Sequence, residues 1–451
     1  MEQCGESLRK RDVVDRISAL PEPLILRILS LLPTKLVVAT SVLSKQWRHV
    51  WKMVPVLRFE SESKGEDLQK FAENVSNTLL SHKAPILDTL HLKLNDRCED
   101  VYIGIWTAIA FTRHVRELEL HLNYFGRGNP VRLPSSLFCC SIDNKIQTLK
   151  LKYHVLLDIP CLVSLNSLTT LHLHSVVYKD SESIRNLFSS CPNLEHLVVH
   201  RCYNEDAVRF VIESLSLKTL SLYGENFGRE KGGYVINAPS LLRLDIQMLK
   251  GYEHCLVENA PEQLIEANVC NVSYVTNETI MGSLISAKRL CLDLSPLQIA
   301  YPTGIVFYQL VYLEMYSHKV EWWNLLTVML DSSPMLQVLK LTDHSSHQPK
   351  LVSDKKNMEP GKWNQPKYVP QCLLCHLETF VWTRPDWIRE EEKEVAVYIL
   401  GNARHLKKAT FIIEPIEPKR LFRLAKRREM LNELPAVVRA SSSCQLVFES
   451  E

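Results

Sequence analysis

The sequence predicts an α/β protein made of an N-terminal three-helix module, a long stack of strand-plus-return repeats and a C-terminal α+β module. Three observations carry that prediction. A dense apolar helical segment occupies Leu24 to Leu32. An apolar-x-x-apolar-x-apolar string then recurs at nearly even steps through the middle of the chain. Beyond about residue 370 the strings alternate with two polar helical segments and a final strand. A chain of 451 residues is too long for one ordinary core, so several domains are expected.

The helical module is placed at residues 12–55. Pro21 suits a first helical turn, and Glu22 beside it favours the positive end of the helix dipole. Leu24, Ile25, Leu26, Ile28, Leu29, Leu31 and Leu32 leave only Arg27 and Ser30 polar, three residues apart. A helix apolar nearly all round wants burial nearly all round, and about 40 residues cannot supply it alone. The surplus face predicts a partner; packing on the chain's own next domain would satisfy the same pattern. Pro33 ends the helix, Thr34 can cap the next, and Leu43, Trp47, Val50 and Trp51 sit at i, i+4, i+7, i+8, as in an amphipathic third helix.

The repeated string begins at Leu87, Val115, Ile146, Leu168, Leu194, Leu217, Leu241, Leu264, Ala287, Leu310 and Leu336. The steps are 28, 31, 22, 26, 23, 24, 23, 23, 23 and 26 residues, close to the 20–29 period of leucine-rich repeats. One such unit cannot bury its apolar face, so units stack into a solenoid, placed at residues 80–343. Some returns look helical, as at Ser181 to Ser190. Strand alternation sends the last two apolar positions of each string inward. The residues between and after them form the exposed face. His91, Lys93, Glu119, His121, Lys150, Lys152, His172, His174 and His200 make its early half basic and His-rich; Tyr223, Asp245, Asn268, Cys270, Cys291, Asp293, Glu314 and Tyr316 make its later half lean acidic. These are solvated strand residues or a target-recognition surface; the candidates for the latter are His121, Lys150, Lys152, His172, His174, His200, Tyr223, Asp245, Asp293, Glu314 and Tyr316.

After the Leu336 unit the next string starts at Leu377, a gap of 41. Residues 344–368, rich in Ser, Lys, Gln and Pro, read as a linker or surface excursion. The C-terminal module, 369–449, is expected to hold strands at Leu377–Trp382 and Leu406–Phe411, helices at Arg389–Asn402 and Lys419–Leu431, and a last strand at Cys444–Phe448.

The formal net charge is +2, which argues against nucleic acid as a partner. No apolar stretch approaches the ~20 residues of a membrane helix, and the polar Met1–Lys10 lacks a signal-peptide core. The 13 cysteines are then reduced thiols of an intracellular protein, cytoplasmic or nuclear. Cys372-x-x-Cys375 followed by His376 lacks a second ligand pair for zinc, so both thiols are expected to be buried core groups entering a strand. Adjacent Cys139 and Cys140 are read as structural, and Lys426-Arg427-Arg428 as the solvated face of a helix rather than a nuclear signal. With no phosphate loop, nucleophile elbow or kinase motif, no catalytic residue, cofactor or metal is expected.

Residues Asp15-Arg16-Ile17-Ser18-Ala19-Leu20-Pro21-Glu22-Pro23-Leu24, with Ile28 to Lys35 and Thr40 to Arg48, resemble a plant-type F-box, departing at Glu22 and Gln46. The string Cys191-Pro192-Asn193-Leu194-Glu195 resembles repeats of F-box/leucine-rich-repeat proteins. The stretch from Val369 to Leu374, with Ala396–Asn402, Leu406-Lys407 and Ser443–Phe448, is similar to the FBD domain that ends many plant F-box proteins. The resemblance implies a non-catalytic, substrate-recruiting subunit of a Skp–cullin–F-box ubiquitin ligase. Leu20, Pro21, Leu24, Ile28, Val42 and Trp47 would bind the Skp-type adaptor and through it a cullin, and the repeat face would hold a target protein. Two other readings share the architecture: a small-molecule-dependent receptor, and an adaptor-binding protein without a ligase role.

Overall fold

A computed structural model describes residues 17–18, 20–61, 67–123, 129–133, 145–161, 163–201, 209–224, 233–248, 254–259, 261–272, 279–294, 304–317, 322–343, 362–385, 387, 389–415 and 421–450. The chain divides into two compact units, Met1–Val155 and Leu156–Glu451.

The first unit begins with a helix at Glu22–Leu29, with Pro21 as its N-cap, followed by Thr34–Ala39. Thr34 does not cap that second helix: Pro33 does, and the buried Thr34 hydroxyl accepts the Arg58 backbone N–H at 2.7 Å. The expected third helix is broken into Thr40–Val42, Trp47–Val50 and Trp51–Met53. Ile25, Leu29, Val37, Trp47, Val50, Trp51 and Val54 form one small core. Leu43 lies outside it, exposed, because the break at Leu43–Gln46 takes it off the Trp47/Val50/Trp51 face.

Four parallel strands follow: Val56–Glu60, Thr89–Leu94, Glu117–Leu122 and Thr148–Lys152. The first is an additional rung. Val54-x-x-Leu57-x-Phe59 satisfies the repeat string, but it starts at the end of the helical module and runs into the stretch before residue 80 assigned to neither module. Helices Leu68–Ser81 and Asp100–Thr112 are the returns, and their buried Phe71, Val75, Leu79, Ile103 and Trp106 cover the inward leucines.

In the second unit a parallel ladder runs through Thr170–His174, His196–Arg201, Thr219–Gly224, Arg243–Gln247, Glu266–Val272, Arg289–Leu294, Tyr312–Tyr316 and Val338–Thr342. Every repeat read from the sequence therefore carries a strand. The ladder does not stop at the repeats: Val338–Thr342 pairs with Thr379–Thr383, which pairs with Lys408–Ile413 and then Gln445–Ser450. The C-terminal module continues the stack. Its helices span Glu390–Asn402 and Leu421–Glu433.

Returns in this unit differ with their sequence. Ser181–Ser189 is a helix, capped by the Asp180 carboxylate accepting the Ser183 N–H at 2.7 Å. Later returns at Arg209–Glu213, Gly233–Asn237 and His254–Glu258 are instead extended and form their own parallel sheet, burying Phe210, Ile212, Tyr234 and Ile236. Short β-branched and aromatic runs favour strand over helix there. Ser175, Met248 and Arg384 each leave a ladder strand at positive φ, and each donates its N–H to a carbonyl one rung on, at 2.7, 3.0 and 2.8 Å.

Most of the 344–368 segment lies outside the described residues, as do Cys139 and Cys140. Its described end, 362–368, is mostly exposed but is anchored by one side chain. Trp363 is buried, donates its indole N–H to Thr327 Oγ1 at 3.0 Å and stacks edge-on against Tyr398.

Candidate interaction surfaces

The helical module presents more apolar surface than its core consumes. Leu24 and Ile28 are 47% and 46% exposed, and Leu31, Leu36, Val42 and Leu43 are more exposed still. Leu24 and Ile28 are i, i+4 on this helix, so they share one face, flanking the side that buries Ile25 and Leu29, and the exposed Leu31 follows in the turn just past the helix end. Pro21 is exposed, and Leu20 packs partly against the core. Trp47 stands apart from the other five residues read as interface. It is 6% exposed and donates its indole N–H to Ser18 Oγ at 2.8 Å, so it holds the module together and offers a partner little surface.

Burial alternates along the ladder strands as the sequence predicts, with the inward leucines buried and their neighbours half-exposed. On the early rungs the charges are compensated. Lys150 Nζ lies 2.7 Å from Glu117 and Lys152 Nζ 2.6 Å from Glu119, while Lys93 pairs with Glu60. The reading of this half as simply basic omitted Glu117, which precedes the first inward leucine and reaches the next strand diagonally. Burial works against the ionised forms of Glu117 and Glu119, but the hydrogen bonds and charges of Lys150 and Lys152 outweigh it and hold both carboxyls below the ordinary range. His91 Nε2 sits 3.4 Å from Glu117 and 3.9 Å from Glu119. The trio has the donor types of a cation site, but both carboxylates already carry an ammonium. Burial lowers the pKa of His91 and of His121.

On the later rungs His174 and His200 stack at 4.0 Å, with Tyr223 6.0 Å from His200. His172 lies two residues before His174 on the same face. Asp245 accepts hydrogen bonds from the Tyr223 hydroxyl at 2.8 Å, Gln247 at 2.9 Å and Asn268 at 3.0 Å. Glu314 pairs with Lys340 at 2.9 Å. Asp293 is buried rather than exposed, and Tyr316, on the next ladder strand, is half-buried. The eleven candidates thus divide between the two units: His121, Lys150 and Lys152 in the first, the others in the second.

A groove of about 1120 Å³ opens in the first unit. Lys35, Arg58, Lys70, Lys93, His91 and His121 line it together with Glu60, Asp67 and Glu119.

The thiols of Cys372-x-x-Cys375 are not alike. They sit on a short helix, Gln371–Cys375; Cys372 is buried, donates to the Leu330 carbonyl and has its pKa pushed up by burial to about 12. Cys375 is exposed, which corrects the expectation of two core thiols: it is the last residue of the helix, where the chain leaves helical geometry at His376. Lys426 lies on its helix between Glu390 and Glu429, at 3.3 and 3.1 Å. No helix is long and apolar enough to cross a membrane among the described residues.

Comparison with known proteins matches the surfaces to domains. The F-box domain pattern covers residues 17–59, the At1g61320/AtMIF1 LRR domain pattern residues 79–368, and the FBD pattern residues 365–411. F-box/FBD/LRR-repeat protein At3g51530 of Arabidopsis thaliana is 59% identical over 455 residues, covering 100% of this chain and 97% of its own length. F-box/FBD/LRR-repeat proteins At3g52680 and At4g00160 of the same plant are 54% and 53% identical, with 100% of this chain and 96% and 98% of their own lengths covered. An exposed apolar helical face and a repeat ladder in one polypeptide make a protein-interaction adaptor, and the chain belongs to the F-box/FBD/LRR-repeat family.

Proposed function

We propose that this chain is the substrate-recognition subunit of a Skp–cullin–F-box ubiquitin ligase. The observation that carries the reading is the exposed apolar surface of Leu24, Ile28 and Leu31 beside a module core that is already complete without it. A Skp-type adaptor of complementary apolar surface would bury that face, and the adaptor would bring the cullin. The chain supplies no catalytic group in this reading. It holds a target on the ladder face near the conjugating enzyme, and proximity raises the transfer rate. The test is capture of adaptor and cullin from a plant extract by the full chain, against Leu24→Asp/Ile28→Asp. Absence of adaptor from the wild-type capture overturns the reading; adaptor without cullin favours an adaptor-binding protein outside any ligase.

The groove in the first unit favours a second reading, a receptor whose target binding needs a small ligand. Glu60, Asp67 and Glu119 among its basic residues argue against a polyphosphate as that ligand. Target capture that appears only on adding a low-molecular-weight extract fraction would favour this reading over the first.

A further inference from the structure

The last ladder strand of the second unit is finished differently from the others. From Thr89–Leu94 through Lys408–Ile413, the two inward side chains of each ladder strand are at most 2% exposed. Register puts Leu446 beside Ala409 and Phe448 beside Phe411, so both are inward positions of Gln445–Ser450. Both are nonetheless only half-buried, although Phe448 stacks on Phe411 at 5.7 Å. Among the described residues this strand is the last of its sheet. Leu421 and Phe422, on the helix Leu421–Glu433 that precedes it, are exposed as well.

The backbone has a defined phase at this edge. The Gln445 N–H donates to the Lys407 carbonyl at 2.9 Å. In a parallel pair alternate residues bond to the same neighbour, so Gln445, Val447 and Glu449 turn their backbone groups to Lys408–Ile413. Leu446, Phe448 and Ser450 turn theirs the other way, where no other strand meets them among the described residues. Such an edge is a template for a further strand. The sequence Gln445-Leu446-Val447-Phe448-Glu449 suits one occupant, an antiparallel copy of itself. Centred on Val447, that register sets Leu446 opposite Phe448 of the second copy, where the outward N–H and C=O groups of both close a hydrogen-bonded pair on each side of the dyad. It sets Gln445 opposite Glu449, an amide donor facing a carboxylate, and Val447 opposite itself. A shift by two residues sets Glu449 opposite Val447, or draws in Cys444, whose carbonyl already accepts from Arg439 at 3.2 Å. The first strand of the first unit, Val56–Glu60, offers no equivalent edge, since Thr34 Oγ1 takes the outward Arg58 N–H at 2.7 Å.

We propose that this edge is a homodimer interface, with Gln445–Ser450 of two copies paired antiparallel about Val447. The contact is isologous, so it closes at two copies. Leu446 and Phe448 of each copy are then covered by their counterparts, which gives the last rung the burial that the earlier rungs have. The inference does not depend on the ligase reading; where that reading also holds, the dimer carries two F-box modules and two recognition faces.

The full-length chain should pass from monomer to dimer between ~1 and ~100 µM in analytical ultracentrifugation, as suits a small interface. Val447→Lys and Val447→Glu place like charges across the dyad, so each variant alone should stay monomeric with an unchanged far-ultraviolet circular dichroism spectrum. Their equimolar mixture should dimerise again, a rescue that misfolded chains would not give. Val447→Cys tests the register, because a non-hydrogen-bonded antiparallel pair sets its Cα atoms about 4.5 Å apart, within the ~4.4–6.8 Å of a disulfide. Mild oxidation should link two copies of that variant through position 447, identified by peptide mass spectrometry. Gln445→Cys should not link to itself, its counterparts lying about 14 Å apart. A wild type that stays monomeric across the range, a dimer that Val447→Lys leaves intact, a mixture without rescue, or equal linkage through Gln445→Cys overturns the proposal, as would masses beyond the dimer.

Discussion

The Trp47 indole N–H donates to Ser18 Oγ over 2.8 Å, tying the segment that enters the first helix to the last helix of the F-box module. Buried and exposed apolar residues of that module therefore do different jobs. Trp47→Ala should cost about 3–5 kcal/mol, the usual range for a buried large aromatic, and melt the module. Ile28→Asp should leave far-ultraviolet circular dichroism unchanged and weaken adaptor binding by at least about thirtyfold, the ~2 kcal/mol of an interface hot spot. Isothermal titration with a purified Skp-type adaptor checks both, and equal losses of fold in the two variants would refute the division.

His82 gives the first unit a pH dependence with a defined sign. The ring is buried, with Nε2 2.7 Å from the Val54 carbonyl and Nδ1 2.8 Å from an Arg113 guanidinium nitrogen. Only the neutral tautomer serves both partners, donating from Nε2 and accepting at Nδ1. Burial lowers its pKa, and the Arg113 charge adds to that against the Val54 bond. The unfolded chain takes up a proton near the ordinary pKa of ~6.5 that the folded ring refuses. Stability is thus fully present above that pH and falls as pH drops below it, until the ring protonates in the folded state. The slope approaches about 1.4 kcal/mol per pH unit at most. Urea titrations of wild type and His82→Gln between pH 7.5 and 5 should show the variant's stability varying less with pH; parallel curves would remove His82 as the cause.

The repeat strand positions were legible because the physics is local: two inward apolar side chains per rung at fixed spacing suffice to mark a strand in a stack. Leu339/Leu341 and Phe380/Trp382 obey that rule on either side of a 41-residue gap, which is why the ladder could be followed into the FBD module. Val56–Glu60 obeys it too, but a helical assignment of its neighbours hid the rung. The first helix's surplus face could be read from Leu24 and Ile28, whereas Trp47 could not be sorted from them. An amphipathic spacing says which residues share a face, not whether that face meets its own core or a partner. The charge balance of the early rungs escaped for a related reason. Lys150 meets Glu117 across a strand boundary 33 residues away in sequence, and only register reveals such a pair.

The paired lysines make their own prediction. Replacing Lys150 and Lys152 by Met leaves Glu117 and Glu119 without their ammoniums in a half-buried setting. Each pair is worth at most about 1 kcal/mol, being partly exposed. The depressed carboxyl pKa values mean the pairs stabilise the fold above the ordinary carboxylate range and stop doing so as pH falls through the folded values. Wild type should therefore exceed the double variant in stability at pH 7, and the difference should shrink below about pH 4.5. A difference that does not shrink as the carboxylates are titrated would assign it to packing of the lysine stems instead. Target capture by Lys150→Glu/Lys152→Glu, with fold verified, separates a binding role from this structural one: unchanged capture removes the early rungs from the recognition surface.

The junction of repeats and FBD module should behave as one cooperative block. Trp382, on the first FBD strand, packs edge-on against Trp322 at 5.6 Å, Phe380 at 6.1 Å and Trp387 at 6.0 Å, and stacks with Phe411 at 6.4 Å. Trp322 belongs to the helix Trp322–Ser332 that backs the last repeat, so the cluster bridges both sequence domains. In a linear stack, stability comes from nearest-neighbour interfaces, and a broken interface should uncouple what lies beyond it. Trp382→Ala should cost about 3–5 kcal/mol. Hydrogen exchange should then accelerate on both sides of the substitution, in Val338–Thr342 as well as in Lys408–Ile413. Acceleration confined to the FBD strands would show that the module is an independently folding appendage, despite its unbroken strand register with the repeats.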